Sequence, residues 1–269
     1  MLFNPTTPEE YLATVEGWQD PNPAPVLERH EGVYVVRDDL IPGGSKSRFI
    51  DYLIGYAPEF RYVQEWVYGH SPRWGYGQLA LSHVARLHGK RSTLFLAKSN
   101  DLYPNTALAA SWGTTVHQVP LGFMTVCASR AAAYVAEDPT TRRMVPFGLD
   151  HETVMGSIIK VARSIPIKPD EVWSVAASGT LTRGLQLAWP NAQVNVVQVG
   201  HKMSPEERGR ATVFTYPKPF ATKCPAKDRP PFPSVGEYDA KAWTFARDAA
   251  RRNPDKIVLL WNVAGDVVL

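Results

Sequence analysis

Short runs dense in β-branched and aromatic residues alternate along the chain with longer stretches whose apolar positions recur at helical spacing. The short runs at 33–36, 62–67, 92–96, 115–119, 171–176, 194–199 and 257–260 predict strands. Between them, 46–55, 78–88, 104–112, 127–136, 152–164, 180–187 and 240–251 predict helices. In the segment from Gln78, Leu79, Val84 and Leu87 fall near one stripe, and Gly89 stops the helix before the apolar run from Ser92. Strand and helix in alternation is the pattern of a parallel sheet covered by its crossover helices, so the fold class is α/β. Prolines crowd residues 216–234; they fix φ and remove backbone donors, which predicts a surface loop or extension there.

Composition narrows the field only a little. At 269 residues the chain has room for one large or two small α/β domains. No run approaches the ~18 consecutive apolar residues of a membrane span. The opening MLFNPTTPEEYL has no basic stretch leading into an apolar one, so a cytoplasmic protein without a membrane partner is expected. Cys127 and Cys224 are far apart and outside metal-ligand spacing, which predicts two unreactive or buried thiols and no metal site. A net charge of +3 neither demands nor excludes nucleic acid. His83, His88 and His117 lie in predicted helices or strands and are assigned to packing or solvent.

Three segments carry candidate chemistry. In Arg37-Asp38-Asp39-Leu40-Ile41-Pro42-Gly43-Gly44-Ser45-Lys46-Ser47-Arg48, a strand passes through a glycine turn into a helix. A lysine there lies among free backbone amides at the positive end of the helix dipole, which suits it to imine formation. The plainer reading is a solvated lysine after a turn. In Ser174-Val175-Ala176-Ala177-Ser178-Gly179-Thr180-Leu181-Thr182-Arg183-Gly184-Leu185, an apolar strand runs into small and hydroxyl residues that start a helix. That arrangement fits a phosphate, although any strand-to-helix turn can look similar. In Gly69-His70-Ser71-Pro72-Arg73-Trp74-Gly75-Tyr76-Gly77-Gln78, polar and aromatic groups sit where ligands bind in parallel sheets, unless the segment is an ordinary polar connection.

Taken in order, the segments resemble the fold-type II pyridoxal phosphate enzymes, the tryptophan synthase β-subunit superfamily. The nearest branch is that of aminocyclopropane-carboxylate deaminase and D-cysteine desulfhydrase, with a divergent phage member as one possibility. There an Arg-Glu-Asp-like strand end leads to Gly-Gly-Asn-Lys-x-Arg, matched by Arg37-Asp38-Asp39 and Gly43-Gly44-Ser45-Lys46-Ser47-Arg48. The family's phosphate loop resembles Ala177-Ser178-Gly179-Thr180 with Gly184-Leu185 behind it, and its Pro-x-Gly-Gly segment is echoed by Val145-Pro146-Phe147-Gly148-Leu149.

The resemblance implies a two-domain parallel-sheet fold. Residues 1–47 and 148–269 would form the large cofactor-binding domain and residues 48–147 a small inserted α/β domain, with the cofactor in the cleft. It implies pyridoxal 5′-phosphate bound covalently by Lys46, its phosphate held by Ser178, Gly179, Thr180 and Thr182, and a substrate faced by Ser71 and Tyr76. A homodimer is the expected assembly. Departures stand beside these matches. Gly75 falls where the family has an asparagine beside the ring, Tyr76 where a histidine is common, and Asn262 is the nearest polar candidate for the pyridine nitrogen. A neutral partner at that nitrogen would weaken the electron sink and favour elimination.

The implied activity is a lyase or deaminase acting at the α-carbon of an amino-acid-like substrate. The departures, the 216–234 extension and a basic surface from Arg142, Arg143, Arg208, Arg210, Arg251 and Arg252 suggest a substrate other than a free small amino acid. The named alternative is an amino-acid adduct on thymine in phage DNA, decarboxylated by the cofactor. A phosphoribosyltransferase is a lesser rival, because Asp38-Asp39 before glycines resembles that group's acidic motif, although Ile41-Pro42 intervene. A relative that has lost its cofactor is a third reading.

Overall fold

A computed structural model of the chain describes residues 5–70, 75–120, 122–200 and 202–267. In chain order its helices are α1 (Pro8–Ala13), α2 (Ser45–Gly55), α3 (Tyr76–Leu87), α4 (Pro104–Ser111), α5 (Met124–Ala136), α6 (Glu152–Ser164), α7 (Thr180–Ala188), α8 (Pro205–Arg208) and α9 (Trp243–Arg252). Its strands are β1 (Leu27–His30), β2 (Val33–Arg37), β3 (Glu65–Tyr68), β4 (Arg91–Ala97), β5 (Thr115–Val119), β6 (Arg142–Met144), β7 (Glu171–Ala176), β8 (Gln193–Gln198), β9 (Thr212–Thr215) and β10 (Val258–Asn262). They separate into two compact units, residues 5–40 with Glu152–Asp266, and Ile41–His151. Lys46, expected with the large domain, therefore falls in the second unit.

The first unit holds a sheet in the order β1-β2-β10-β7-β8-β9, parallel throughout except for β1. Every residue of β7 and β10 is buried, as central parallel strands require when both faces are covered. On one face, α9 presents Trp243, Ala246, Ala249 and Ala250 to Val33, Val35, Trp173, Val175, Val258 and Leu260. Asp248, Arg251 and Arg252 are exposed, so the helix forms with one apolar stripe toward the sheet and charge on the solvent side. Each large apolar side chain buried this way contributes about 1.5–3 kcal/mol. Helices α6 and α7 pack closely, because Gly184 has no side chain to meet Ile158; a Cβ there would lie 2.9 Å from the Ile158 Cβ.

The connections of this sheet reverse between β7 and β10. From β7 the chain steps outward through β8 to β9, then returns through α9 to place β10 on the other side of β7. Ligands of open parallel sheets bind outside the carboxyl ends of strands at such a reversal. The second unit repeats the device. Its sheet runs β5-β4-β3-β6, all parallel, and β6 returns to the far side of β3. Helix α5 covers one face through Cys127 and Ala131 against Val67, Phe95 and Val119.

Several elements differ from expectation. The strand expected from residue 62 begins at Glu65; Tyr62 is exposed in a turn, and Val63 is buried. Leu87, placed on the apolar stripe, is 55 % exposed, while Leu79 and Val84 are buried. The 216–234 segment is largely exposed and holds no long regular element, as expected, but it is anchored to the unit. Phe232 and Cys224 are buried within it, Val235 donates to the Ala264 carbonyl, and Lys241 holds the segment through the Phe220 carbonyl at 2.9 Å. Three of the six arginines are engaged: Arg142 pairs with Glu65, Arg251 with Glu31, and Arg210 donates to the carbonyls of Ala192, Gln186 and Trp189, whereas Arg143, Arg208 and Arg252 are exposed. Both cysteines are free thiols and buried. His88 hydrogen-bonds the buried Asp51 at 2.8 Å, packing over Gly55, which accords with a structural role. Among the described residues, no helix is long and apolar enough to cross a membrane.

Helix α1 gives a pH-dependent expectation. Thr7 caps it, and the Glu10 carboxylate accepts from the Thr6 amide at 2.7 Å and the Thr7 amide at 3.0 Å. Those amide bonds, Thr6 first, hold the Glu10 pKa down to about 2. A carboxyl depressed on folding adds stability above its ordinary value of 4.5, lost as pH falls toward about 2. Amide protection factors across α1, corrected for the intrinsic exchange rate, are therefore expected to fall as the pH drops through this window. In Glu10→Gln that fall should be much smaller; an unchanged profile in the variant would remove Glu10 from the cap.

Candidate functional site

The carboxyl edge of the first sheet carries two expected site elements. Strand β7 ends at Ala176, and the chain turns through Ser178 and Gly179 into α7. Gly179 adopts a left-handed conformation, φ 76°, and a side chain there would run into the Glu207 carbonyl. Only glycine fits the turn without strain. The N-cap residue, Gly179, has no side chain to cap α7, and a helix N-terminus has a built-in preference for an anion. Ser178 is half-buried, and Gly179 and Thr180 are buried. Thr182 plays a different part. It is fully buried, and its hydroxyl lies 3.0 Å from that of Ser174, so it fastens the helix to its strand.

Strand β10 is hydrogen-bonded to β7 and ends at Asn262. The Asn262 Nδ2 donates to Asp39 Oδ1 at 2.7 Å and to the Pro233 carbonyl at 2.9 Å. Both partners are acceptors, which fixes the orientation of the amide. The Asn262 Oδ1 is buried and has no hydrogen-bond partner among the described residues. Behind it, Arg37 grips Asp39 through Nε and Nη2, each at 2.8 Å, and reaches Glu28, which also bonds His30. The network joins β1, β2 and β10 to the proline-rich segment. Asp38 is also buried and accepts from the Trp261 indole at 3.1 Å.

In the second unit, Gly43 and Gly44 have φ of 80° and 70°. Gly44 precedes Ser45 at the start of α2, placing Lys46 second in the helix. A Cβ on Gly43 would lie 2.9 Å from the Ala80 backbone, so the turn bearing Lys46 lies tight against α3. Ser47 closes the turn by donating to the Pro42 carbonyl at 2.6 Å. Lys46 itself is half-buried. Helix α3 starts at Tyr76 behind Gly75, with Tyr76 half-buried; Ser71 lies outside the described residues. Gly77 leaves room for the Tyr68 ring, whose hydroxyl is pushed up to about 12 by burial. At the reversal between β3 and β6, His70 meets Phe147 edge to face at 5.3 Å, and burial pulls the His70 pKa down. Gly148 and Leu149 both take left-handed backbone in that loop.

Sequence reading missed the supporting set: Ser174 under Thr182, Glu207 against Gly179, and Arg37 and Asp39 behind Asn262. The Arg37-Asp38-Asp39 run was the available signal for the last.

No protein-family model and no curated protein matches the sequence. Solved structures do match the fold. An ACC deaminase homologue aligns with a TM-score of 0.77 and 18 % identity, over 97 % of this chain and 95 % of that one. Threonine deaminase isoform 2 from Solanum lycopersicum, in its processed form, aligns at 0.72 and 12 %, over 100 % and 88 %. Serine racemase from Dictyostelium discoideum aligns at 0.69 and 14 %, over 97 % and 98 %. The fold is the parallel-sheet α/β fold of the fold-type II pyridoxal phosphate enzymes.

Proposed function

We propose that this chain is a pyridoxal 5′-phosphate enzyme, a lyase or deaminase acting at the α-carbon of an amino-acid-like substrate. The observation that carries the reading is Lys46, second in a helix entered through two left-handed glycines, in a chain with this fold. The residues present suit the cofactor. A phosphate monoester suits a helix N-terminus that the backbone can approach closely, and Gly179 leads into one at α7. A ring nitrogen needs a polar partner, and the Asn262 Oδ1 is a buried acceptor lacking one among the described residues.

When bound, the cofactor supplies an electron sink for negative charge at the substrate α-carbon. The protein supplies the rest. Lys46 Nζ holds the cofactor covalently and, once released, takes and returns the α-proton. Ser178, Gly179 and Thr180 hold the phosphate, so the ring cannot drift. Tyr76 and Ser71 face the substrate. A cytoplasmic homodimer belongs to the same reading.

Two rivals lose ground. A phosphoribosyltransferase needs its acidic pair open to the sugar diphosphate, whereas Asp38 is buried and Asp39 is clamped by Arg37 and Asn262. An amino-acid adduct on DNA drew support from the 216–234 segment and the arginines, and buried anchors in the first and ion pairs at Arg142 and Arg251 account for part of that. Gly75 and Tyr76 remain in its favour. Spectral change with free D- or L-amino acids or aminocyclopropane carboxylate is the expected result. Change only with DNA bearing aminoacyl thymine would move the assignment to the adduct.

Paired threonine variants test the phosphate turn. Thr180→Val is expected to weaken cofactor affinity about tenfold or more, the value of one hydrogen bond to a charged group. Thr182→Val should leave affinity unchanged and cost about 1 kcal/mol of stability by breaking the bond to Ser174. Equal affinities in both variants and the parent would remove the turn from the site.

A further inference from the structure

Resting on that reading, we propose that Asn262 meets the cofactor ring as an acceptor only, and so selects the protonated ring nitrogen. Both hydrogens of its amide are committed, one to the Asp39 carboxylate and one to the Pro233 carbonyl. What remains is the carbonyl oxygen, buried and lacking a donor among the described residues. A buried acceptor of this kind is costly until a donor reaches it. An unprotonated pyridine nitrogen has only a lone pair to offer, and two lone pairs repel. A pyridinium N–H is the complementary group.

The position supports the assignment. Asn262 is the last residue of β10 and pairs in register with Arg37, while Leu260 pairs with Trp173 of β7. It therefore ends at the same carboxyl edge as the turn at Gly179, on the neighbouring strand at the sheet's reversal. The groups behind it reinforce its basicity. Asp39 draws the Asn262 amide hydrogen toward a carboxylate, which leaves more negative charge on the carbonyl oxygen. Arg37 fixes Asp39, and Glu28 and His30 complete the chain on β1. The other acids near this end of the strand are engaged elsewhere, Asp38 with the Trp261 indole and Asp239 with the Ala264 amide. Asp39 and Arg37 are thus positioning residues, and Asn262 alone touches the ring. A neutral side chain here would strengthen the electron sink, against the weakening that its neutrality suggests.

The test is the ¹⁵N resonance of ring-labelled pyridoxal 5′-phosphate bound to the full chain near neutral pH. The expected resonance lies in the pyridinium range. In Asn262→Ser, whose hydroxyl can donate, it is expected to move to the neutral-pyridine range at the same pH. Asp39→Asn, which removes the charge behind Asn262, should shift the same equilibrium partway. A neutral ring nitrogen in the wild-type protein overturns the assignment, as it would if a buried water supplied the donor. A pyridinium signal unchanged in Asn262→Ser overturns it equally. Those outcomes leave the cofactor reading standing; failure of the wild-type chain to bind the cofactor at all overturns both.

Discussion

Lys46→Ala is expected to reduce turnover of any amino-acid substrate by about a thousandfold or more, because one side chain holds the cofactor and moves the α-proton. The variant should fold. Lys46 is half-buried in the first turn of α2, and alanine is favoured in helices, so the helix itself tolerates the change. Cofactor bound by the variant should be removable by gel filtration and resist fixation by borohydride. Added primary amines are expected to restore part of the covalent linkage to the cofactor without restoring the directed proton transfer. Turnover within tenfold of the parent would mean that Lys46 is a solvated helix residue and that the amine comes from elsewhere.

Gly179→Val should be the most damaging single change at the phosphate turn. Its φ of 76° is a conformation that β-branched residues rarely adopt, at a cost of roughly 1–3 kcal/mol. The new side chain would also be driven into the Glu207 carbonyl, whose carbon would lie 2.8 Å from the added Cβ. The turn must then move, taking the first amides of α7 with it. Loss of even one charge-assisted contact weakens binding about tenfold to a hundredfold, so cofactor affinity is expected to fall at least that far. The protein should also melt earlier. To separate the two effects, Gly184→Ala serves as a control. Its Cβ presses on Ile158 between α6 and α7, which should lower stability by about 1–3 kcal/mol with little change in affinity. Equal affinity losses in the two variants would mean that Gly179 acts through stability alone.

The fold class was readable because parallel strands buried on both faces, such as β7 and β10, are short runs dense in apolar residues, and helices such as α9 carry one apolar stripe. Elements stabilised chiefly by position were not readable. Strand β1 reads Leu-Glu-Arg-His, and it is a strand because β2 pairs with it and Glu28 and His30 bond along its half-buried side. Strand β6 is three residues long, and two of them are arginines. Helices α1 and α8 did leave a signal, since Thr7-Pro8-Glu9-Glu10 and Ser204-Pro205-Glu206-Glu207 are both capping boxes behind a proline. In the candidate site, the glycines at 43, 44 and 179 announced themselves because their backbone conformations depend on local sequence. Thr182 and Asn262 did not. The first faces Ser174 rather than the turn, and the second owes its orientation to Asp39, 223 residues away. The anchoring of 216–234 was unreadable for the same reason. Its prolines exclude regular structure, yet Phe232 and Cys224 still find buried places that local sequence does not reveal.

The central claim is tested most directly by reducing the cofactor-loaded protein with borohydride and mapping the modified peptide by mass spectrometry. The account predicts one reduced cofactor per chain, on the peptide containing Lys46. Label scattered over surface lysines, or none at all, would contradict it.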